Sequence, residues 1–381
     1  VSDHLVPQES LRLLDKLPGI EHLEFIGEYP VAEIDYQLPG LPISLSLQAY
    51  SPFVPPNPDD SGLPAAISHF TAVNHSKRAT TISLLMSQQN AVGWDNSSSI
   101  EGNRHPSFGG NRNIVRRQSG LTSIVMDNVQ LSPDDERFGH MLIAALAESA
   151  SACAGWTSLD ALWQDFTADG LLKDSSGNAP TPAGETANAA LCSRITLQPG
   201  ESRRITFLLI WYFPNRFVDW AQPTLEHERD ISRSKLWLGN SYSTRFSSAG
   251  EVSAYIVERL PHFDETALAF REAMHDSPLP PSLIEAVSSQ IAALRSPTCF
   301  RAADGRFYSF EGGLGASTQY IGERGGCCPL NCTHVWNYAM TLSRLFPQLE
   351  RSMRETEWLH QQHECGYLPH RVVVPLSLRR P

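Results

Sequence analysis

Through the first half of the chain, apolar and polar residues alternate with a period of two. The clearest runs are Val31-Ala32-Glu33-Ile34-Asp35-Tyr36 and Ile43-Ser44-Leu45-Ser46-Leu47. A two-residue period sends one set of side chains into a core and the other into water, as in a half-buried strand. Residues 66–73 and 80–85 continue the pattern, and Asn74-His75-Ser76-Lys77 between them reads as a hairpin turn. Residues 121–126, 193–197 and 205–212 supply further strands, with a turn at Pro199-Gly200 between the last two. Many short strands separated by polar turns predict an antiparallel sandwich. Residues 93–117 and 167–190 lack the pattern and are predicted to be long surface excursions.

The period then changes. Val252, Ile256 and Leu260 lie four apart, on one face of a helix. Leu283, Val287, Ile291 and Leu294 repeat the stripe, with Pro280-Pro281-Ser282 as its start signal. Val335, Tyr338, Leu342, Leu345 and Phe346 form another, opened by Thr333 as N-cap and stopped near Pro347. Residues 348–360 are predicted to be its helical partner. The order is therefore a β domain over 1–219, a helical connector over 220–280, and the start of an α domain over 281–381. The stripes after Pro280 are expected to expose apolar surface.

Bulk properties remove several classes of function. The net charge is −11 and no basic run occurs, whereas nucleic-acid binding needs clustered cations to displace phosphate counterions. No apolar run approaches the roughly 18–20 residues that span a bilayer. Seven cysteines, an odd and scattered set, read as reduced thiols rather than a disulfide scaffold. With no signal-peptide pattern after Val1, a cytoplasmic location is expected. Sequons at Asn74, Asn96 and Asn331 are short enough to arise by chance.

Ser51-Pro52-Phe53-Val54-Pro55, followed by Asp60-Ser61-Gly62-Leu63-Pro64, resembles a signature of the non-lysosomal glucosylceramidase (bile-acid β-glucosidase) family, glycoside hydrolase family 116. Gly27-Glu28-Tyr29-Pro30-Val31-Ala32 and Trp211-Tyr212-Phe213-Pro214-Asn215-Arg216 are similar to it as well. The most specific block runs from Ser296-Pro297-Thr298-Cys299-Phe300 through Asp304-Gly305-Arg306-Phe307-Tyr308 to Gly326-Cys327-Cys328-Pro329-Leu330-Asn331-Cys332-Thr333-His334-Val335-Trp336-Asn337-Tyr338. Leu345-Phe346-Pro347 and Leu349-Glu350-Arg351-Ser352-Met353-Arg354-Glu355 close it.

This resemblance implies an N-terminal antiparallel β-sandwich followed by the first helices of an (α/α)6 toroid. It also implies retaining hydrolysis of a β-glucoside or glucosylated lipid, without a cofactor, by a Glu nucleophile and an Asp acid/base. In the family the nucleophile lies in a Glu-containing segment followed closely by Asn-Thr-X-Asp. Glu101-Gly102 and Glu311-Gly312 lack that continuation. No residue here is therefore assigned as catalytic: both carboxylates are expected beyond Pro381, and residues 1–381 alone are expected to be inactive. Residues 313–325 form a longer link than the family's usual one, and Ala339-Met340-Thr341-Leu342 replaces its more polar, smaller residues.

The individual constellations leave alternatives open. Cys327, Cys328, Cys332 and His334 have metal-ligand chemistry, but adjacent cysteines make a poor tetrahedral clasp and buried thiols are the simpler reading. His334, Asn337 and Thr341 share a helix face, and Trp336 offers an aromatic platform for a sugar. They line substrate or satisfy buried polar atoms. Glu311 and Asp304 are the acidic candidates for acid/base work, Glu311 also for the same lining, and Asp304-Gly305 is equally an ordinary turn signal. A glycoside phosphorylase on the same two-domain plan and an inactive carbohydrate-binding fragment are the competing functions.

Overall fold

A computed structural model describes residues 8–17, 19–147, 149–177, 179–218, 236–296, 299–309, 330–331, 337–369, 372, 374 and 376, with the side chains of 337–340 excepted. Helix α1 (Gln8–Leu14) leads into strands β1 (His22–Glu28), β2 (Val31–Gln37) and β3 (Ile43–Tyr50). After the single turn α2 (Pro58–Ser61) come β4 (Ala65–Asn74), β5 (Thr80–Gln89), β6 (Asn111–Gln118), β7 (Leu121–Asn128), β8 (His140–Leu146) and β9 (Ala150–Trp156). Helix α3 (Leu159–Asp169) precedes β10 (Asn188–Leu197) and β11 (Ser202–Tyr212).

Two antiparallel sheets result. The larger has the order β1-β2-β3-β4-β11-β8-β7-β6, and a three-stranded sheet β5-β10-β9 faces it. Ile143, Ala145 and Phe207 meet Ala152 and Leu191 between the sheets. Successive strand residues point to opposite faces, so Leu142, Ala144, Leu208 and Ile210 emerge on the other side. There they are covered by Val252, Ile256, Phe263 and Ala267 of a 27-residue helix, α4 (Ala249–His275). The helix begins at Ser248, whose Oγ accepts from Glu251 N at 3.2 Å, while Glu251 accepts from Ser247 N at 2.7 Å.

Some expectations from the pattern need correction. Residues 74–77 do not close a hairpin, because β4 and β5 belong to different sheets. Fully buried Asn74 turns the corner instead: its Nδ2 donates to the carbonyls of Arg78, Leu197 and Gln198 at 2.8, 3.0 and 3.2 Å. Its own carbonyl accepts from Gly200 N at 2.9 Å, so the Pro199-Gly200 turn crosses between sheets at the same place. Residues 93–117 are not simply an excursion, since they contain most of β6. The polarity that concealed it is internal: Asn90, Asn111, Asn113 and Asn128 are buried and hydrogen-bond one another and nearby backbone. Residues 167–190 likewise hold the end of α3 and the start of β10, with Leu172 and Thr186 buried.

After α4 come α5 (Pro281–Ile291) and a hairpin of β12 (Cys299–Arg301) and β13 (Phe307–Ser309). Helices α6 (Asn337–Leu345) and α7 (Pro347–Glu355) follow, and the chain continues in a wider helical turn over Thr356–Gln361. Thr333 and Val335, the expected start of that stripe, lie outside the described residues. Phe53 is the anchor for this part of the molecule. It is 1% exposed and packs edge-on to Tyr29, Phe270 and Phe346 at centroid distances of 5.0, 4.9 and 5.7 Å. Ile291, Leu342, Leu349 and Met353 complete the cluster. On the same stripe as Ile291, Leu283 and Val287 are exposed. Among the described residues no helix is long and apolar enough to cross a membrane.

Candidate functional site

Where the loop before β4 meets the helical part, the molecule opens into a cleft of about 860 Å³. One wall is the segment from Ser51 to Pro64. Asn57 Oδ1 accepts from Asp59 N and Asp60 N at 3.0 and 3.1 Å, capping α2, and Ser61 Oγ accepts from Val54 N at 2.8 Å. A Cβ at Gly62 would come within 2.9 Å of the Pro58 carbonyl, so the turn closes only around glycine.

Arginines fasten this loop to the rest of the chain. Arg295 donates to the carbonyls of Ser61 and Leu63 at 2.6 and 3.1 Å. Arg301 is paired with Asp59, and Arg245 donates to Asp59 O at 2.7 Å and to Asp60 at 3.3 Å. Tyr255 adds a 2.7 Å bond to Asp60. Burial pulls the Arg295 guanidinium down from its ordinary pKa, and pushes the Tyr29 hydroxyl up to about 12 despite Arg295 nearby.

The opposite wall comes from the end of β11 and the segment after it. Arg216 donates through Nε to Asn240 Oδ1 at 2.9 Å and stacks over Phe300 at 4.3 Å. Asn240 in turn donates to Phe213 O at 2.7 Å. Desolvation lowers the Arg216 pKa as well. Trp94, Trp211, Phe213 and Phe307 give the cleft aromatic faces beside these donors. Flat apolar faces with a few fixed polar groups suit a ligand with C–H faces and hydroxyl edges.

The cleft gathers parts of several of the blocks that carry the family resemblance. Ser51 and Phe53, Ser61 and Gly62, Trp211, Phe213, Asn215 and Arg216, Ser296, Cys299 and Phe300, Phe307, and Phe346 with Leu349 all contribute to its lining. Its carboxylates among the described residues are Asp59, Asp95 and Glu136. Asp59 is occupied by Arg301, and hydrogen bonding from Ser97 holds Asp95 below the ordinary carboxylate range. A proton donor to a glycosidic oxygen needs the opposite shift.

Glu311, His334 and Trp336 lie outside the described residues, as do Cys327, Cys328 and Cys332. Asn337 opens α6, and its side chain is not described. Asp304 occupies the β12–β13 turn, accepting from Arg306 N at 3.0 Å and Nη1 at 2.8 Å, apart from the cleft lining. Among the described residues no three His, Cys, Asp or Glu side chains are grouped to hold a metal ion. Sequence reasoning missed Arg216 and Arg295 as wall residues. The available signal was their position inside, or immediately before, blocks that match the family.

Among solved structures, the chain is similar to a protein assigned as a kojibiose phosphorylase, from the human microbiome. That match has 11% identity and a TM-score of 0.33, over 72% of this chain and 28% of that one. It is also similar to a protein assigned as an aldose 1-epimerase, from Klebsiella pneumoniae, with 9% identity and a TM-score of 0.23, over 50% and 53%. A galactose mutarotase related enzyme from Lactobacillus acidophilus matches at 8% and 0.22, over 50% and 70%. These overlaps are partial and weak, and nothing about substrate follows from them. The sequence match is of another kind: residues 4–263 fit the model of the beta-glucosidase 2, glycosyl-hydrolase family 116 N-terminal domain. The chain belongs to glycoside hydrolase family 116.

Proposed function

We propose that the protein of which this chain forms part is a retaining β-glucosidase acting on aryl or lipid-linked β-glucosides. Residues 1–219 serve as its β domain and 220–280 as a connector. Residues 281–381 open an (α/α)6 catalytic domain. In the retaining reaction one carboxylate attacks the anomeric carbon while a second protonates the departing oxygen; water then cleaves the glycosyl ester with the second group acting as base. The two groups stand about 5–5.5 Å apart in such enzymes. Both are supplied by polypeptide outside these 381 residues, because the Asn-Thr-X-Asp continuation is missing from the sequence. His334, Trp336, Asn337 and Glu311 are the residues assigned to sugar binding.

The observation that carries this reading is the convergence of several of the family's separated sequence blocks on one cleft at the seam between the β domain and the helices. Residues held there by Arg295 and Phe53 support the first helices of the catalytic domain.

The test is hydrolysis of a chromogenic β-glucoside, with the anomer first released read by NMR. The complete open reading frame is expected to release the β-anomer, and residues 1–381 alone to show no turnover. Turnover by residues 1–381 would remove the proposal. Release of sugar 1-phosphate only when phosphate is supplied would replace hydrolysis with phosphorolysis.

A further inference from the structure

The two edges of the eight-stranded sheet are built differently. At one edge β6 carries Arg112, Arg116 and Arg117, and its Ile114 bridges to Gly177 of the segment between α3 and β10. Charge and cover of this kind keep a sheet from pairing with a neighbour. At the other edge β1 has no Lys, Arg or Pro, and among the described residues it pairs only with β2. Its Leu23 and Phe25 are 54% and 62% exposed. They stand on the face that looks into the sandwich. Strand register leads from Phe25 through Ile34, Leu47 and Phe70 to Ile205, and the last two pack between the sheets. The opposing sheet has three strands, and among the described residues Leu23 and Phe25 stay exposed at this end of the large one.

We propose that β1 pairs antiparallel with β1 of a second copy, joining two large sheets across a two-fold axis through Phe25. The strand is self-complementary in that register. Phe25 meets Phe25 of the partner subunit, Leu23 faces the partner's Gly27, Glu24 faces the partner's Ile26, and His22 faces the partner's Glu28. No like charges lie directly opposite each other in this register, and the glycine leaves room for the leucine. That leucine lands on the Phe25 ring, which already lies over its own Gly27: a Cβ there would be 3.0 Å from the ring.

The pleat requires paired residues to share a face, so neighbouring registers place Glu24 or Ile26 on the axis. The first sets Glu24 against the partner's Glu24, and the second sets Glu24 against the partner's Glu28. Like charges directly opposite are destabilising. Of these three registers, only the one centred on Phe25 escapes this.

Light scattering on residues 1–381 is expected to give twice the 42.2 kDa of one copy. Phe25→Lys should return the mass to one copy without altering the circular dichroism spectrum, because that side chain is exposed. A monomer mass for the unsubstituted chain across the concentration range would overturn the proposal, as would a Phe25→Lys dimer equal to the original. Register is read by mild oxidation. Phe25→Cys lies on the axis and should cross-link to itself beyond the background of the native cysteines. Leu23→Cys should not, because the partner's Leu23 is displaced by four residues, about 13 Å along the strand. Equal cross-linking of both variants would refute the pairing.

Discussion

His69 Nε2 donates to Asp264 Oδ1 at 2.8 Å, tying strand β4 of the large sheet to helix α4. The same carboxylate accepts from Tyr50 OH and, through Oδ2, from Arg204 at 3.0 Å. The other nitrogen of His69 is 2.8 Å from Thr206 Oγ1. A hydroxyl, an imidazole and a carboxylate in a row have the outline of a nucleophilic triad. Here Thr206 and His69 are buried and none of the three lines the cleft, so the row acts as a clamp between sheet and helix.

Burial pushes the Asp264 carboxyl up, but hydrogen bonds from His69 and Tyr50, with the charges of His69 and Arg204, outweigh it and hold the group below its ordinary range. A folded pKa below the unfolded one gives stability that is complete above the unfolded value of about 4 and is lost as pH falls through the folded value. Asp264→Asn keeps the shape and removes the charge. It is expected to cost about 1–3 kcal/mol near neutral pH and to flatten the acid side of a plot of Tm against pH. An unchanged acid limb would show that the clamp is not what titrates.

Asn74 supplies the donor for carbonyls on both crossings between the sheets. Asn74→Ala leaves those carbonyls without it, at about 1–3 kcal/mol for each one that stays dry. A loss of about 3 kcal/mol in urea unfolding is expected. Asn74→Asp should be at least as damaging, since it turns a carboxylate toward the same oxygens.

Phe53→Ala removes a ring that is 1% exposed, at an expected cost of about 3–5 kcal/mol. A double-mutant cycle with Phe346→Ala should return a coupling of about 0.5–1.5 kcal/mol for their edge-on contact. Coupling near zero would mean that the helices do not depend on Phe53 for their seat.

Arg295→Met keeps the apolar stem and deletes both bonds to the Ser61 and Leu63 carbonyls. Hydrogen bonds made by a charged group contribute about 1.5–3 kcal/mol, so local amide exchange is expected to quicken at least about tenfold. The change should appear in residues 58–64 and 299–309, with β4 and β11 as slow as before.

The strands and stripes were legible where one face meets a core and the other meets water. Ile34, Leu45 and Leu47 declare themselves by alternation, and Val252 and Ile256 by spacing. β8 was not legible, because His140–Leu146 is sandwiched between the small sheet and α4 and has no polar side to alternate with. β6 failed for the converse reason: its asparagines are buried yet satisfied, so a core segment carries surface-like composition. At the site, the family's blocks named the right stretches of chain. That they share one cleft was hidden, because Phe53, Arg216 and Phe300 come from segments that meet only after folding.

Sequence alone determined the two periods, their order along the chain, the family blocks and the lack of the expected Glu-containing segment, since each is written in consecutive residues. Tertiary structure alone decided that Asn74 turns a corner, that Arg295 reaches back to the Ser51–Pro64 loop, and which faces of a strand are covered. Those outcomes depend on which donors find which carbonyls across long separations. Local propensity does not encode that choice; only packing selects it.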